Sequence, residues 1–149
     1  MAGSFTCLND HIVFSTKERR PVLTSDLREP LFPYVAGILK NLKCHLIQSG
    51  GVNDHVHFLV QMHQSVSLAD CVRTIKSDAS KWLGESHDDK WVGWQDGYGA
   101  FSVSKSGLPA VEEYVVNQEK HHARICFQDE FRTLLRRHGI EYDEKYIWD

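Results

Sequence analysis

The chain has no C-x-x-C pair, no long apolar run and almost no net charge. Its four cysteines, Cys7, Cys44, Cys71 and Cys126, are scattered. That spacing excludes a zinc ribbon and a thioredoxin-type redox pair. Scattered thiols without a secretory signal pattern read as reduced, which points to the cytoplasm. No stretch approaches the roughly 20 apolar residues of a membrane helix. There is no G-x-x-x-x-G-K and no G-x-G-x-x-G, so the common phosphate-cradling loops are missing. Internal repeats, low-complexity tracts and linkers are missing too. Seventeen Lys and Arg stand against twenty Asp and Glu, a net −3. The last nine residues, Glu141 to Asp149, carry all of that excess. Such neutrality argues against coating nucleic acid by bulk charge, while leaving room for local basic patches.

What is present is ordinary globular material. The 149 residues are 42% hydrophobic and 25% charged. One domain spanning 1–149 is expected, long enough to hide roughly 68–70% of its unfolded surface. A strand is expected over Phe5 to Thr16, followed by the charged turn Lys17 to Pro21. Asp26 to Lys43 repeats Leu27, Leu31, Tyr34, Val35, Ile38 and Leu42 near the 3.6 period of a helix. That stripe places Tyr34 in the core. Strands at Cys44 to Ser49 and His55 to Met62 flank a turn carrying Gly50-Gly51 and Asn53-Asp54. Ser67 with Asp70 fits a capping box, opening a helix with the stripe Leu68, Val72, Ile75, Ala79 and Trp82. Ala100 to Ser104 reads as a strand, Leu108 to His122 as one helix, and Phe127 to His138 as another ended by Gly139. The order β-α-β-β-α-β implies an α+β fold, an RRM/ferredoxin-like antiparallel sheet with helices on one face and C-terminal helices added.

Two features carry chemistry. In His55-Val56-His57 the alternation of a strand puts both imidazoles on one face, about 6–7 Å apart along it. They can converge on one metal ion, or they can be two histidines on a half-solvated face. Tyr114 and Gln118 sit one helical turn apart, with His121 on the same side. The tyrosine can be a nucleophile and the glutamine oxygen a third metal ligand, or the three can be the wet face of an amphipathic helix. Combined, the features suit a cation that polarises a phosphodiester while a tyrosine attacks phosphorus. Two histidine ligands would also accept zinc.

In five ordered segments the chain resembles the single-tyrosine HUH transposases of small bacterial insertion sequences, relatives of the REP-associated tyrosine transposases. The segments are HIVFSTKERRP (11–21), DHVHFLV (54–60), SVSLADCVRTIKSDASKWL (65–83), WQDGYGAFSVS (94–104) and YVVNQEKHH (114–122). The resemblance implies that Tyr114 is the nucleophile and that His55, His57 and Gln118 hold Mg²⁺ or Mn²⁺ in a site open to solvent. It implies cleavage and rejoining of single-stranded DNA at transposon ends through a 5′-phosphotyrosine, with no nucleotide cofactor. It also implies DNA hairpins as partners and a homodimer with active sites shared between subunits, with Gly107 as a hinge for helix exchange. The helix carrying Tyr114 would then be the C-terminal addition to the sheet.

DNA contacts are expected from local cations. Lys17, Arg19 and Arg20 cluster in the first turn, Arg73 and Lys76 share a helix face, and Lys105, Lys120 and Arg124 flank the tyrosine helix. Trp91, Trp94 and Tyr98 are candidates for stacking on unpaired bases. Two rivals differ in class. One is a non-catalytic RRM-like nucleic-acid-binding protein, which would tolerate loss of Tyr114, Gln118 or either motif histidine. The other is a replication initiator or relaxase, which shares the chemistry in larger chains.

Overall fold

In a computed structural model describing residues 2–86 and 89–148, four strands form one antiparallel sheet. The ends of the expected domain, Met1 and Asp149, lie outside the described residues. The strands are β1 (Asn9–Ser15), β2 (His45–Val52), β3 (His55–Gln61) and β4 (Gly99–Val103). Their spatial order is β2-β3-β1-β4. The helices are α1 (Ser25–Asn41), α2 (Leu68–Ser86), α3 (Leu108–Val116), α4 (Gln118–His122) and α5 (Phe127–Arg137). The β-α-β-β-α-β order and the antiparallel α+β fold are those the sequence implied.

Strand alternation divides the core in two. Ile12, Phe14, Val56, Phe58 and Val60 face α1 and α2, where Leu31, Val35, Leu39, Val72, Ile75 and Leu83 close a dry layer. On the opposite face Val13 and Phe101 pack against Phe127, Phe131, Leu134 and Leu135 of α5. Residues 9–14 of β1 pair with 56–61 of β3, setting Val13 opposite His57. This register fixes which side chains share the second face. His11, His55 and His57 belong to it.

Several boundaries differ from the sequence pattern. The first strand begins at Asn9 rather than Phe5, and Phe5 is largely exposed. β2 runs on to Val52, because Gly50 and Gly51 pair with His57 and Val56 instead of turning. The turn is confined to Asn53 and Asp54. Tyr34 is not core; it lies at the surface, its ring stacked on Trp82 at 4.9 Å between centroids. The Ser67 hydroxyl does cap α2, accepting from Asp70 N at 3.1 Å. Gly139 takes φ +65° and ends α5. Its N–H reaches Arg136 O and the N–H of Ile140 reaches Leu135 O, the double bond of a Schellman motif.

Candidate active site

The expected single helix 108–122 is broken at Asn117, whose φ and ψ of −94° and 25° leave the helical range. Pro109 opens α3 and Val115 is buried in it. The C-terminal end of α3 lies directly on β2, because Gly50 has no side chain there. A Cβ on Gly50 would collide with the carbonyl of Val115 and touch Gln118 Cγ. The break then turns Gln118 inward, where it is fully buried. Its amide nitrogen donates to Tyr114 O at 3.1 Å. The amide oxygen is thereby aimed at His55 Nε2, 3.4 Å away. Gly107, the expected hinge, has ordinary helical dihedrals in a short 3-10 turn.

Both motif histidines are completely buried, on the same sheet face. This removes the half-solvated alternative. It also corrects the expectation of an open site, because α5 covers that face. Phe127 stacks on His55 at 4.5 Å, and Glu130, one turn later, enters the cluster. Its carboxylate is almost wholly buried. Oε1 lies 3.0 Å from His57 Nε2 and 3.3 Å from His55 Nε2. Oε2 accepts a short hydrogen bond from the Tyr114 hydroxyl. Within one chain the rings of Tyr114 and His57 are 5.8 Å apart.

Hydrogen bonds on the outer side of the rings fix which nitrogen of each faces inward. His55 Nδ1–H donates to Asp54 Oδ1 at 2.7 Å, which turns Nε2 inward. His122 Nδ1–H donates to Ile125 O at 2.6 Å, leaving its Nε2 inside as well. That nitrogen is buried with no hydrogen-bond partner among the described residues. His57 Nδ1 meets His11 Nε2 at 2.7 Å. The inward atoms of His55, His57, His122 and Glu130 lie within 4.8 Å of one another. Acceptors converging on one point, each braced from behind, suit a divalent cation. The donor set therefore fits a divalent metal ion.

The electrostatics agree with a resting cage around an anion. Burial opposes the charge of Glu130, yet His122, His55 and His57 outweigh it and hold its carboxyl well below the usual range. Burial lowers His57 to about 4, with Glu130 resisting. Burial lowers His11 to about 3, helped by His57. Burial also disfavours charge on His55, but Asp54 and Glu130 lift its pKa above the ordinary value. Burial and then the Glu130 charge push the Tyr114 hydroxyl up.

His122 and Glu130 were absent from the sequence reading. Glu130 had a visible signal: an acid inside the apolar stripe of Phe127, Phe131 and Leu134, where a lysine or glutamate is normally excluded. His122 had only its place beside His121.

The expected DNA-binding cations fall into two groups. Several are already paired: Arg20 with Glu18 at 3.0 Å and Arg73 with Asp70 at 2.8 Å. Arg19 lies over the Trp148 ring at 5.6 Å. Lys76 is tied inward, its ammonium donating to the carbonyls of Gln95 and Gly97 at 2.8 and 2.7 Å. Trp94 and Trp91 pack against the core beside it. Lys17 and Lys105 are exposed in the two 3-10 turns. Lys120 and Arg124 line a cleft of about 830 Å³ whose wall includes Tyr114, Asn117 and His121.

The comparisons with known proteins agree with this fold. The family described as "Transposase IS200 like" matches residues 4–118. The stretch includes His55, His57, Tyr114 and Gln118 and ends before His122 and Glu130. A search of curated proteins finds no match. Among solved structures, a protein described as a transposase from Deinococcus radiodurans R1 is similar, with a TM-score of 0.64 and 22% identity. The alignment covers 79% of this chain and 95% of that one. A REP-associated tyrosine transposase bound to a REP hairpin aligns at a TM-score of 0.63 and 11% identity, over 84% of this chain and 76% of that one. Both likenesses speak for the fold. The family match spans most of the sequence, and the chain belongs to the IS200-like transposase family.

Proposed function

We propose that this transposase cuts and rejoins single-stranded DNA, with Tyr114 as nucleophile and His55, His57 and Gln118 as ligands of a divalent cation, Mg²⁺ or Mn²⁺. The observation that carries the reading is the placement of the Tyr114 oxygen on Glu130, whose other oxygen lies against the histidine pair. Tyr114 Oη gives up its proton and attacks phosphorus, forming an O–P bond to the 5′-phosphate. The P–O3′ bond breaks and the leaving oxygen takes a proton as a free 3′-OH. A second 3′-OH later reverses the exchange and seals the strand, so no nucleotide need be consumed. A bound cation supplies positive charge that polarises the phosphodiester and offsets Glu130. Gln118 holds its amide oxygen toward His55 by donating to Tyr114 O, which couples the ligand to the nucleophile's own backbone. Asp54 and His11 brace the two imidazoles.

The partner of this reading is single-stranded DNA near a hairpin, and its place of action is the cytoplasm. No described helix is long and apolar enough to cross a membrane. The REP-hairpin complex of the structural neighbour supports hairpin recognition. A homodimer belongs to the reading as well, with shared active sites if the tyrosine helices exchange. Mixing His57→Ala with Tyr114→Phe subunits tests that exchange. Recovered cleavage means shared sites, and silence means that each chain uses its own Tyr114 beside its own His57. The reaction itself is tested by incubating the protein with single-stranded DNA from the flanks of its gene and a divalent cation. A covalent adduct should map to the peptide containing Tyr114. An adduct on another tyrosine, or equal cleavage of paired duplex, would sink the reading.

A further inference from the structure

The cation site of this reading has more donors than the family resemblance assigns to it. His122 is the telling residue. Its side chain is only 7% exposed, and among the described residues its inward nitrogen has no partner but the Glu130 carboxylate. Because Nδ1 gives its proton to Ile125 O, Nε2 is the atom turned toward Glu130 Oε1, 3.0 Å away. A divalent ion between them would ligate both. The same Oε1 also faces His55 and His57.

We propose that His122 and Glu130 ligate the same cation as His55, His57 and Gln118, and that this set selects a transition ion such as Zn²⁺ over Mg²⁺. The inference rests on the metal-dependent reading above and deepens it. Imidazole nitrogens suit the later first-row divalent ions, whereas Mg²⁺ prefers oxygen donors and keeps several waters in near-octahedral order. Three imidazoles leave Mg²⁺ few oxygen donors. The burial of His55, His57, Gln118 and Glu130 leaves little room for its retained waters. One carboxylate against a divalent ion leaves a net positive site. His122 comes from α4 and Glu130 from α5, so the loop 123–126 between them sets the donor spacing. Both ligands lie beyond residue 118, where the family match stops.

Calorimetric titration of chelator-stripped protein with Zn²⁺, Mn²⁺ and Mg²⁺ salts, without DNA, tests this directly. Zn²⁺ should bind tightest and Mg²⁺ weakest, with about tenfold or more between the two. His122→Ala and Glu130→Gln should each weaken Zn²⁺ by at least the roughly 10–100-fold seen when an outer-shell partner is lost. Circular dichroism confirms that each variant is folded, and His122→Gln serves if His122→Ala is not. Co²⁺ absorption offers an independent readout, since removing a nitrogen ligand must change its visible bands. Mg²⁺ binding as tightly as Zn²⁺ overturns the selectivity. If His55→Ala abolishes binding while His122→Ala and Glu130→Gln leave it unchanged, this inference fails and the three-ligand reading survives. If His55→Ala is also without effect, the metal-dependent reading itself fails.

Discussion

The hydroxyl of Tyr114 donates to Oε2 of Glu130, a carboxylate buried under α5 whose other oxygen rests 3.0 Å from His57 Nε2. A side chain outside the matched family segment therefore bridges the proposed nucleophile and the proposed metal ligands. In the resting chain burial, and after it the neighbouring anion, keeps the phenol protonated, so removing Glu130 should change Tyr114 itself. In Glu130→Gln the Tyr114 pKa should fall toward its ordinary value near 10. Ultraviolet pH titration of Tyr114, with Tyr114→Phe as the blank, checks this. An unchanged Tyr114 titration would show that the contact does not hold in solution.

Gly50 should be the most sensitive glycine of the site. Alanine there must push Val115 O and α3 off β2. Overpacking of this kind costs about 1–3 kcal/mol. Gly50→Ala should lower the unfolding midpoint and reduce adduct formation further than stability alone explains, because Tyr114 and Gln118 ride on the displaced backbone. Gly37→Ala is the control, since a Cβ there meets nothing within 4 Å. Equal behaviour of the two variants would count against the docking described.

Acid should destabilise the fold before its carboxylates titrate. His11 and His57, held at about 3 and 4, stay neutral when folded and take up protons near 6.5 when unfolded. The unfolded state therefore binds more protons below 6.5, and stability drops as pH falls from 6.5 toward 4. His55 acts oppositely: its raised pKa stabilises the folded chain below 6.5, a benefit lost as pH rises through the folded value. His121 is lowered as well, and three groups against one leave a net loss on acidification. Below about 4.5 the depressed Glu130 adds to it. Thermal melts from pH 7 to 4 should show a falling midpoint, and His11→Asn should flatten that slope. A midpoint that rises toward pH 4 would contradict the assignment.

The cations should separate by their contacts. Lys120→Ala and Arg124→Ala should each weaken single-stranded DNA binding and reduce the salt slope by about 1. Lys76→Met removes an ammonium already committed to backbone carbonyls. It should cost stability, about 1.5 kcal/mol for charge-assisted bonds at a partly exposed site, and leave the salt slope alone. Fluorescence anisotropy across a salt series, beside thermal melts, distinguishes the two. A salt slope lowered by Lys76→Met would restore it as a DNA contact.

The sequence by itself determined the strands, most of the helices and the order of both, because periods of 2 and 3.6 are local properties of the chain. It also determined that His55 and His57 share a sheet face, since alternation on a strand leaves no choice. Tertiary structure decided everything that depended on which elements meet. The β3 pattern cannot say that its second face is covered, so the burial of both imidazoles awaited α5. Periodicity joined residues 108–122 into one helix. The break at Asn117 follows from α3 seating its end on Gly50, a contact between segments some 65 residues apart. Glu130 and His122 could be seen in the sequence only as an acid in an apolar stripe and one of two adjacent histidines. Their meeting with His55 and His57 is set by packing between distant segments, because burying a charged carboxylate is tolerable only where partners from other elements close around it.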